Sequence, residues 1–202
     1  MKKILAIFIL MASSSCTLIL SKAATTIDEN MPRPASNVVS DDFNEISLDE
    51  TYQISVPESF EDMDVDDPYS LIYVGNNYRS LYVTVYTEPT IDFVEFQREN
   101  LIYNDSISTM DNFVDYFKVE TKIESNTTDI EDYGLLRVNG YIARQVKLFI
   151  NEGEIPLTYI VTFLDDGETI YKIMSWTTTE NLRHNIGIME QIPFTFEKKI
   201  IF

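Results

Sequence analysis

The chain has 202 residues, 45% of them apolar, with 12 Phe and 12 Tyr; this suffices for one domain with a sizeable core and excludes disorder throughout. A formal charge of −18 excludes a nucleic-acid or anionic-lipid partner, because the acidic field repels polyanions. Cys16 is the only cysteine, so the fold must hold by burial, without an intramolecular disulfide.

Lys2 and Lys3 precede the apolar run Ile4 to Ala12, the pattern of an export signal over residues 1–23. Two processing readings stand side by side. Ser21-Lys22-Ala23 before Ala24 has the small-x-small pattern of ordinary cleavage. Ser13-Ser14-Ser15-Cys16 resembles a loose lipobox, which makes Cys16 a lipidation candidate and a membrane tether. The protein is therefore expected to be exported, periplasmic or secreted, or else lipid-anchored to a bacterial envelope. Cleavage after Ala23 removes Lys2, Lys3 and Lys22 and takes the net charge to −21. Residues 24–44 contain Pro32 and Pro34 and no apolar period, so they read as a flexible linker; 45–202 read as a single domain.

Within the domain, Ile46 to Pro57 opens as a strand in which Tyr52, Ile54 and Val56 alternate with Gln53 and Ser55, and Pro57 ends the pairing. Glu58 to Asp67 is an acidic loop. Strands over Tyr69–Val74 and Leu81–Glu88 flank Gly75-Asn76-Asn77. In the second of them Leu81, Val83 and Val85 share one face, with Tyr82, Thr84 and Tyr86 on the other. Pro89 breaks that strand and a surface helix follows over Ile91–Tyr103. Ser108 to Asp111 resembles a capping box with Asp in place of Glu. Behind it Met110, Phe113, Val114 and Phe117 recur at helical spacing, a core stripe. Glu124 to Asp132 is polar and reads as a loop; its Asn126-Thr127-Thr128 fits a glycosylation acceptor, at odds with the bacterial character of the signal.

Tyr133 to Trp176 reads as a four-stranded antiparallel meander divided at Asn139-Gly140, Asn151–Glu154 and Asp165–Glu168. Asn-Gly between alternating apolar residues is the strongest short hairpin signal, since both central residues need φ > 0. In the second strand Ile142, Val146, Leu148 and Ile150 share a face with Arg144, opposite Gln145, Lys147 and Phe149. In the third, Leu157, Tyr159, Val161 and Phe163 oppose Thr158, Ile160, Thr162 and Leu164. Apolar residues on both sides place that strand near the sheet centre under helices on both faces. Thr178 or Thr179 caps a last helix with Leu182, Ile186 and Met189 inward, ended by Pro193. Phe194 to Phe196 makes a last short strand or an apron on the sheet. The fold class is α+β, an antiparallel sheet in an α/β/α sandwich.

Catalytic chemistry finds little purchase. His184 is the one histidine and falls on the outer side of the last helix; no catalytic residue is assigned. No Walker or dinucleotide motif is present, and no cofactor is expected. Asp62, Asp64 and Asp66 match the opening of a calcium loop, but Asp67 stands where the turn glycine belongs and Tyr73 where the bidentate Glu belongs. No metal site is assigned: the three read as a solvated acidic loop, with calcium the weaker alternative.

The order of elements resembles the PsbP-like and DcrB-like group of exported bacterial and chloroplast proteins. Ile54-Ser55-Val56-Pro57 with Phe60, Leu71-Ile72-Tyr73, Leu81 to Val85 and Val138-Asn139-Gly140 carry the resemblance. Thr169-Ile170-Tyr171 and Ile192 to Phe196 extend it, so that it covers residues 50–197. Where the group commonly has Gly-Trp after the proline, this chain has Ser59-Phe60. The resemblance implies an α/β/α sandwich and a non-enzymatic role. The expected function is that of an exported, acidic, non-catalytic envelope protein that binds a protein partner. A carrier or chaperone holding an apolar ligand or peptide segment is the alternative, and a metal-assisted hydrolase the third. An open apolar cleft would favour the alternative; a closed core would not.

Overall fold

The computed structural model describes residues 42–63, 69–125 and 127–199. The export signal with Cys16, nearly all of the linker, Asp64, Asp66 and Asn126 lie outside these residues. Two antiparallel sheets form. The larger has seven strands in the order β3 (Glu61–Asp62), β4 (Ser70–Asn76), β5 (Leu81–Pro89), β9 (Thr169–Thr178), β8 (Ile155–Asp165), β7 (Tyr141–Glu152) and β6 (Thr127–Val138). The smaller joins β1 (Phe43–Ser47), β2 (Tyr52–Pro57) and β10 (Glu197–Lys198).

The meander expected from the sequence is β6 to β9. At its first turn Asn139 and Gly140 adopt φ of +47° and +94°, the left-handed pair that an Asn-Gly hairpin requires. Strand β8 is buried on both sides, with Val161 and Phe163 in one core and Ile160 and Leu164 in the other. Its neighbour β9 takes the central position because β5, from outside the meander, pairs along its free edge from Leu81↔Thr177 to Pro89↔Thr169.

The two faces are covered differently. On one, α1 (Thr90–Glu99) and α2 (Thr109–Glu124) pack Phe93, Met110 and Val114 on Val146, Leu148, Val161, Phe163 and Ile170. The stripe Met110, Phe113, Val114, Phe117 is the inward one, as its spacing predicts. On the other face, α3 (Leu182–Gln191) shares the cover with the small sheet; Tyr52, Ile54 and Val56 of β2, and Phe196 just before β10, join a core containing Leu81, Val83, Val85, Ile173, Ile188 and Met189. The sandwich therefore has helices on both faces, but one of them is half β-structure.

Several expectations are corrected. The opening strand is two strands, because the Asp49 carboxylate accepts from the N–H of Thr51 at 2.6 Å and of Tyr52 at 2.7 Å and turns the chain. Its first half begins at Phe43, two residues inside the segment read as linker. The polar stretch read as a loop up to Asp132 is the first half of β6. An edge strand needs only one partner; two bulges and the exposed Asp129 and Glu131 guard its open side, while Ile130 packs inward. Helix α1 stops at Glu99 rather than Tyr103, because Leu101 takes φ +59° and bonds back from its N–H to the Arg98 carbonyl. Asn181, not a threonine, precedes α3, and its side chain makes no capping bond. After α3, Pro193 lies within a short 3-10 turn, Ile192–Thr195, before β10.

Candidate functional site

Helices α1 and α2 lie over the β6–β8 side of their face and leave its β4–β5–β9 side as an aromatic cleft. Strand register builds this cleft in three rows. Tyr82 on β5, Trp176 on β9 and Tyr159 on β8 are direct cross-strand partners and form the first row. Thr84 and Met174 form the second, continued on β8 by Val161 in the helix-covered core; Tyr86 and Lys172 form the third, continued by Phe163, likewise in that core. The middle row is low at Thr84 and Met174, and the cleft of about 320 Å³ runs along it. Tyr73, paired with Thr84 at the β4 end, and Ser70, paired with Tyr86, complete the lining.

The rings of the first row stand nearly parallel. Trp176 stacks with Tyr82 and with Tyr159, each with centroids 5.5 Å apart, at interplanar angles of 26° and 19°. This spacing is set by neighbouring strands about 4.8 Å apart carrying upright rings. Tyr73 reaches past the short Thr84 to stack with Trp176 at 5.4 Å. Two local features permit the arrangement: Gly75, opposite Tyr82, carries no Cβ to push that ring aside, and the Thr84 hydroxyl donates to the Ile72 carbonyl at 3.0 Å. The Tyr82 hydroxyl donates to Asn77 Oδ1 at 3.0 Å and fixes the outer end of the row.

Burial keeps two of the phenols, Tyr159 and Tyr73, protonated. Burial pushes the Tyr159 hydroxyl up to about 12, aided by the charge of Glu152 and by Tyr73 and Tyr86. Burial likewise raises Tyr73, with Tyr82 and Glu152 adding to it. Hydroxyls held above their ordinary range supply hydrogen-bond donors but no base for proton transfer near neutrality. At the far row the Lys172 ammonium lies 4.6 Å from the Tyr86 ring centroid and 5.6 Å from that of Phe117, cation–π distances. Apolar contact, stacking, hydrogen-bond donation and cation–π attraction are therefore the chemistry this surface offers.

A second aromatic cluster, on the opposite face, is closed. Tyr52 stacks on Phe196 at 5.0 Å, and Tyr171 donates to Asp49 Oδ2 at 2.7 Å, which ties the small sheet to β9. It serves the core.

Of the site candidates singled out from the sequence, only Asp62 falls among the described residues. Asp62 is exposed on β3, paired with Val74, while Asp64, Asp66 and Cys16 are outside the described residues. Among the described residues no cluster of three His, Cys, Asp or Glu side chains is arranged to hold a metal. His184 is exposed on α3, whose core lies against the face opposite the cleft. The cleft residues were missed. Alternation already set Tyr82, Thr84 and Tyr86 on one face, but only the insertion of β9 beside β5 brings Trp176 to them.

No protein-family model and no curated protein matches the sequence. Solved structures do match the fold. The solution structure of the cyanobacterial PsbP from Synechocystis sp. PCC 6803 superposes with a TM-score of 0.52 at 12% identity, covering 81% of this chain and 96% of that one. LpqN, involved in cell envelope biogenesis of Mycobacterium tuberculosis, gives a TM-score of 0.49 at 6% identity over 79% of this chain and 91% of LpqN. PA94 of Pseudomonas aeruginosa, a protein of unknown function, gives 0.45 at 11% identity over 79% and 99%. The architecture implied by the sequence resemblance is the one observed: the domain has a PsbP-like α+β fold.

Proposed function

We propose that this is an exported, non-catalytic binding protein whose ligand site is the aromatic cleft, and that its occupant is an extended segment of another protein. The observation that carries this reading is the stacked row Tyr82–Trp176–Tyr159, half-buried on a sheet face where α1 and α2 leave a cleft. Large aromatic side chains are worth most when buried, and a partner completes their burial. At about 320 Å³ the cleft is at the small end of ligand sites, and it opens along a row of side chains; such a shape takes successive side chains of a segment more readily than it encloses a lipid tail. Of the three sequence-based expectations, an apolar cleft favours the carrier or chaperone form, here as a holder of a peptide segment. Export rests on the Lys2–Lys3 and Ile4–Ala12 signal pattern.

The test is selection of a displayed random-peptide library on the full-length protein. Binding is read from the emission of Trp176, the chain's one tryptophan. Selected peptides should shift that emission and lose affinity for a folded Tyr73→Ala/Tyr159→Ala variant. Peptides that bind this variant as tightly as the parent would place the site elsewhere.

A further inference from the structure

The charges around the cleft narrow the class of segment, on the footing that the cleft is the binding site. The first aromatic row continues at its β3 end into Glu61, which pairs with Gly75 and so shares the Tyr82 face. Toward its other end, Glu152 lies on the same face of β7 as Leu148 and Ile150, by the unbroken alternation of the β7–β8 ladder. Its charge is felt at both Tyr73 and Tyr159. Both carboxylates are exposed. Lys172, in the opposite row, lies between the rings of Tyr86 and Phe117 and within the field of Glu88. Tyr73 and Tyr159, the rings stacked on Trp176, thus offer aromatic surface bracketed by carboxylates, on a chain of net charge −18.

A neutral apolar segment would gain burial on these rings. A cationic side chain gains in addition the attraction of the ring quadrupoles and of the two carboxylates, while the open cleft leaves its charge partly hydrated. Lys172 against Tyr86 shows the same recognition chemistry within the chain. We propose that the cleft selects protein segments in which arginine or lysine alternates with apolar residues, the cation lying against Tyr73 and Tyr159, the rings stacked on Trp176, with Glu61 and Glu152 as counter-charges. Alternation suits the site because successive side chains of an extended segment point to opposite sides, so every second one enters the row.

The test uses the full-length protein and a blocked peptide of alternating arginine and valine, compared with the same peptide carrying citrulline for arginine; Trp176 emission is the readout. The arginine peptide should bind at least about tenfold more tightly. That advantage should shrink as salt is raised and in the Glu61→Gln/Glu152→Gln variant. Equal binding of the two peptides would overturn charge selection while leaving the aromatic cleft as a peptide site. No response to either would overturn both readings. An arginine advantage that survives Tyr73→Ala/Tyr159→Ala would assign it to the acidic surface at large and overturn the site. Phosphatidylcholine vesicles producing the Trp176 response in place of the peptide would overturn the assignment to a protein segment, since a quaternary ammonium offers the same cation.

Discussion

Gly75 and Tyr82 face each other across the β4–β5 ladder so closely that a Cβ on Gly75 would stand 2.5 Å from Cδ1 of Tyr82. The same Cβ would lie 3.0 Å from the Leu81 carbonyl oxygen, so the ring cannot be cleared without moving the strand as well. Gly75→Ala should therefore displace Tyr82 from its stack on Trp176 and cost about 1–3 kcal/mol of stability through overpacking. Trp176 emission and denaturant melts read the two consequences. Truncating the ring as well, in Gly75→Ala/Tyr82→Ala, should recover part of the loss, giving a non-additive cycle. An alanine variant with parental emission and parental stability would show that the close approach does not hold the row.

Asp111 does two jobs at the start of α2. Its N–H donates to Ser108 Oγ at 3.1 Å, the Ser108 hydroxyl donates to Asp111 Oδ2 at 2.7 Å, and Arg144 Nε on β7 donates to Asp111 Oδ1 at 2.8 Å. Cap and docking contact thus share one carboxylate, and Arg144 is held on the core face where alternation placed it. Asp111→Ala should cost about 2–4 kcal/mol, combining part of a cap with a largely buried guanidinium left without its counter-charge. Asp111→Ala/Arg144→Met should be more stable than Asp111→Ala, by chemical denaturation. If the double variant is weaker by the sum of the single losses, the ion pair is not what docks the helix.

Asp49 makes stability depend on acid. Burial alone would raise its carboxyl, but the Tyr171 hydroxyl, the N–H groups of Tyr52 and Thr51 and the charge of Lys199 outweigh burial and hold it below the ordinary value. A carboxylate depressed in the folded state stabilises above its unfolded pKa, and that contribution is lost as pH falls through the folded pKa. The parent should therefore exceed Asp49→Asn by about 1–2 kcal/mol near neutrality. The gap should start to shrink near about pH 4, where the unfolded chain begins to protonate, and close only once pH has fallen through the depressed folded value. Urea melts of both proteins across the acid range measure it. A gap that persists unchanged into acid would assign the stabilisation to shape rather than charge.

The sequence by itself determined the meander, the inward stripe of α2 and the faces of β5, β7 and β8. Each is a local periodicity: Leu81, Val83 and Val85 alternate at two residues, and Met110, Phe113, Val114 and Phe117 at helical spacing, whatever the rest of the chain does. Asn139-Gly140 was legible for the same reason, because φ > 0 is a demand on two adjacent residues. The first half of the edge strand β6 was not, since a strand paired on one side tolerates the polar run Thr127 to Asp132 that reads as a loop. Nor was the hairpin between β1 and β2, which hangs on one carboxylate, that of Asp49, accepting two N–H groups. Strand order, by contrast, is a tertiary decision. Tyr82 and Trp176 are 94 residues apart in the chain and become neighbours only because β9 lies between β5 and β8, a choice made by long-range burial on both faces. Where α1 and α2 lie on that face then decides which aromatic rings are core and which line a cleft, and no local pattern distinguishes Phe163, under the helices, from Trp176 beside them.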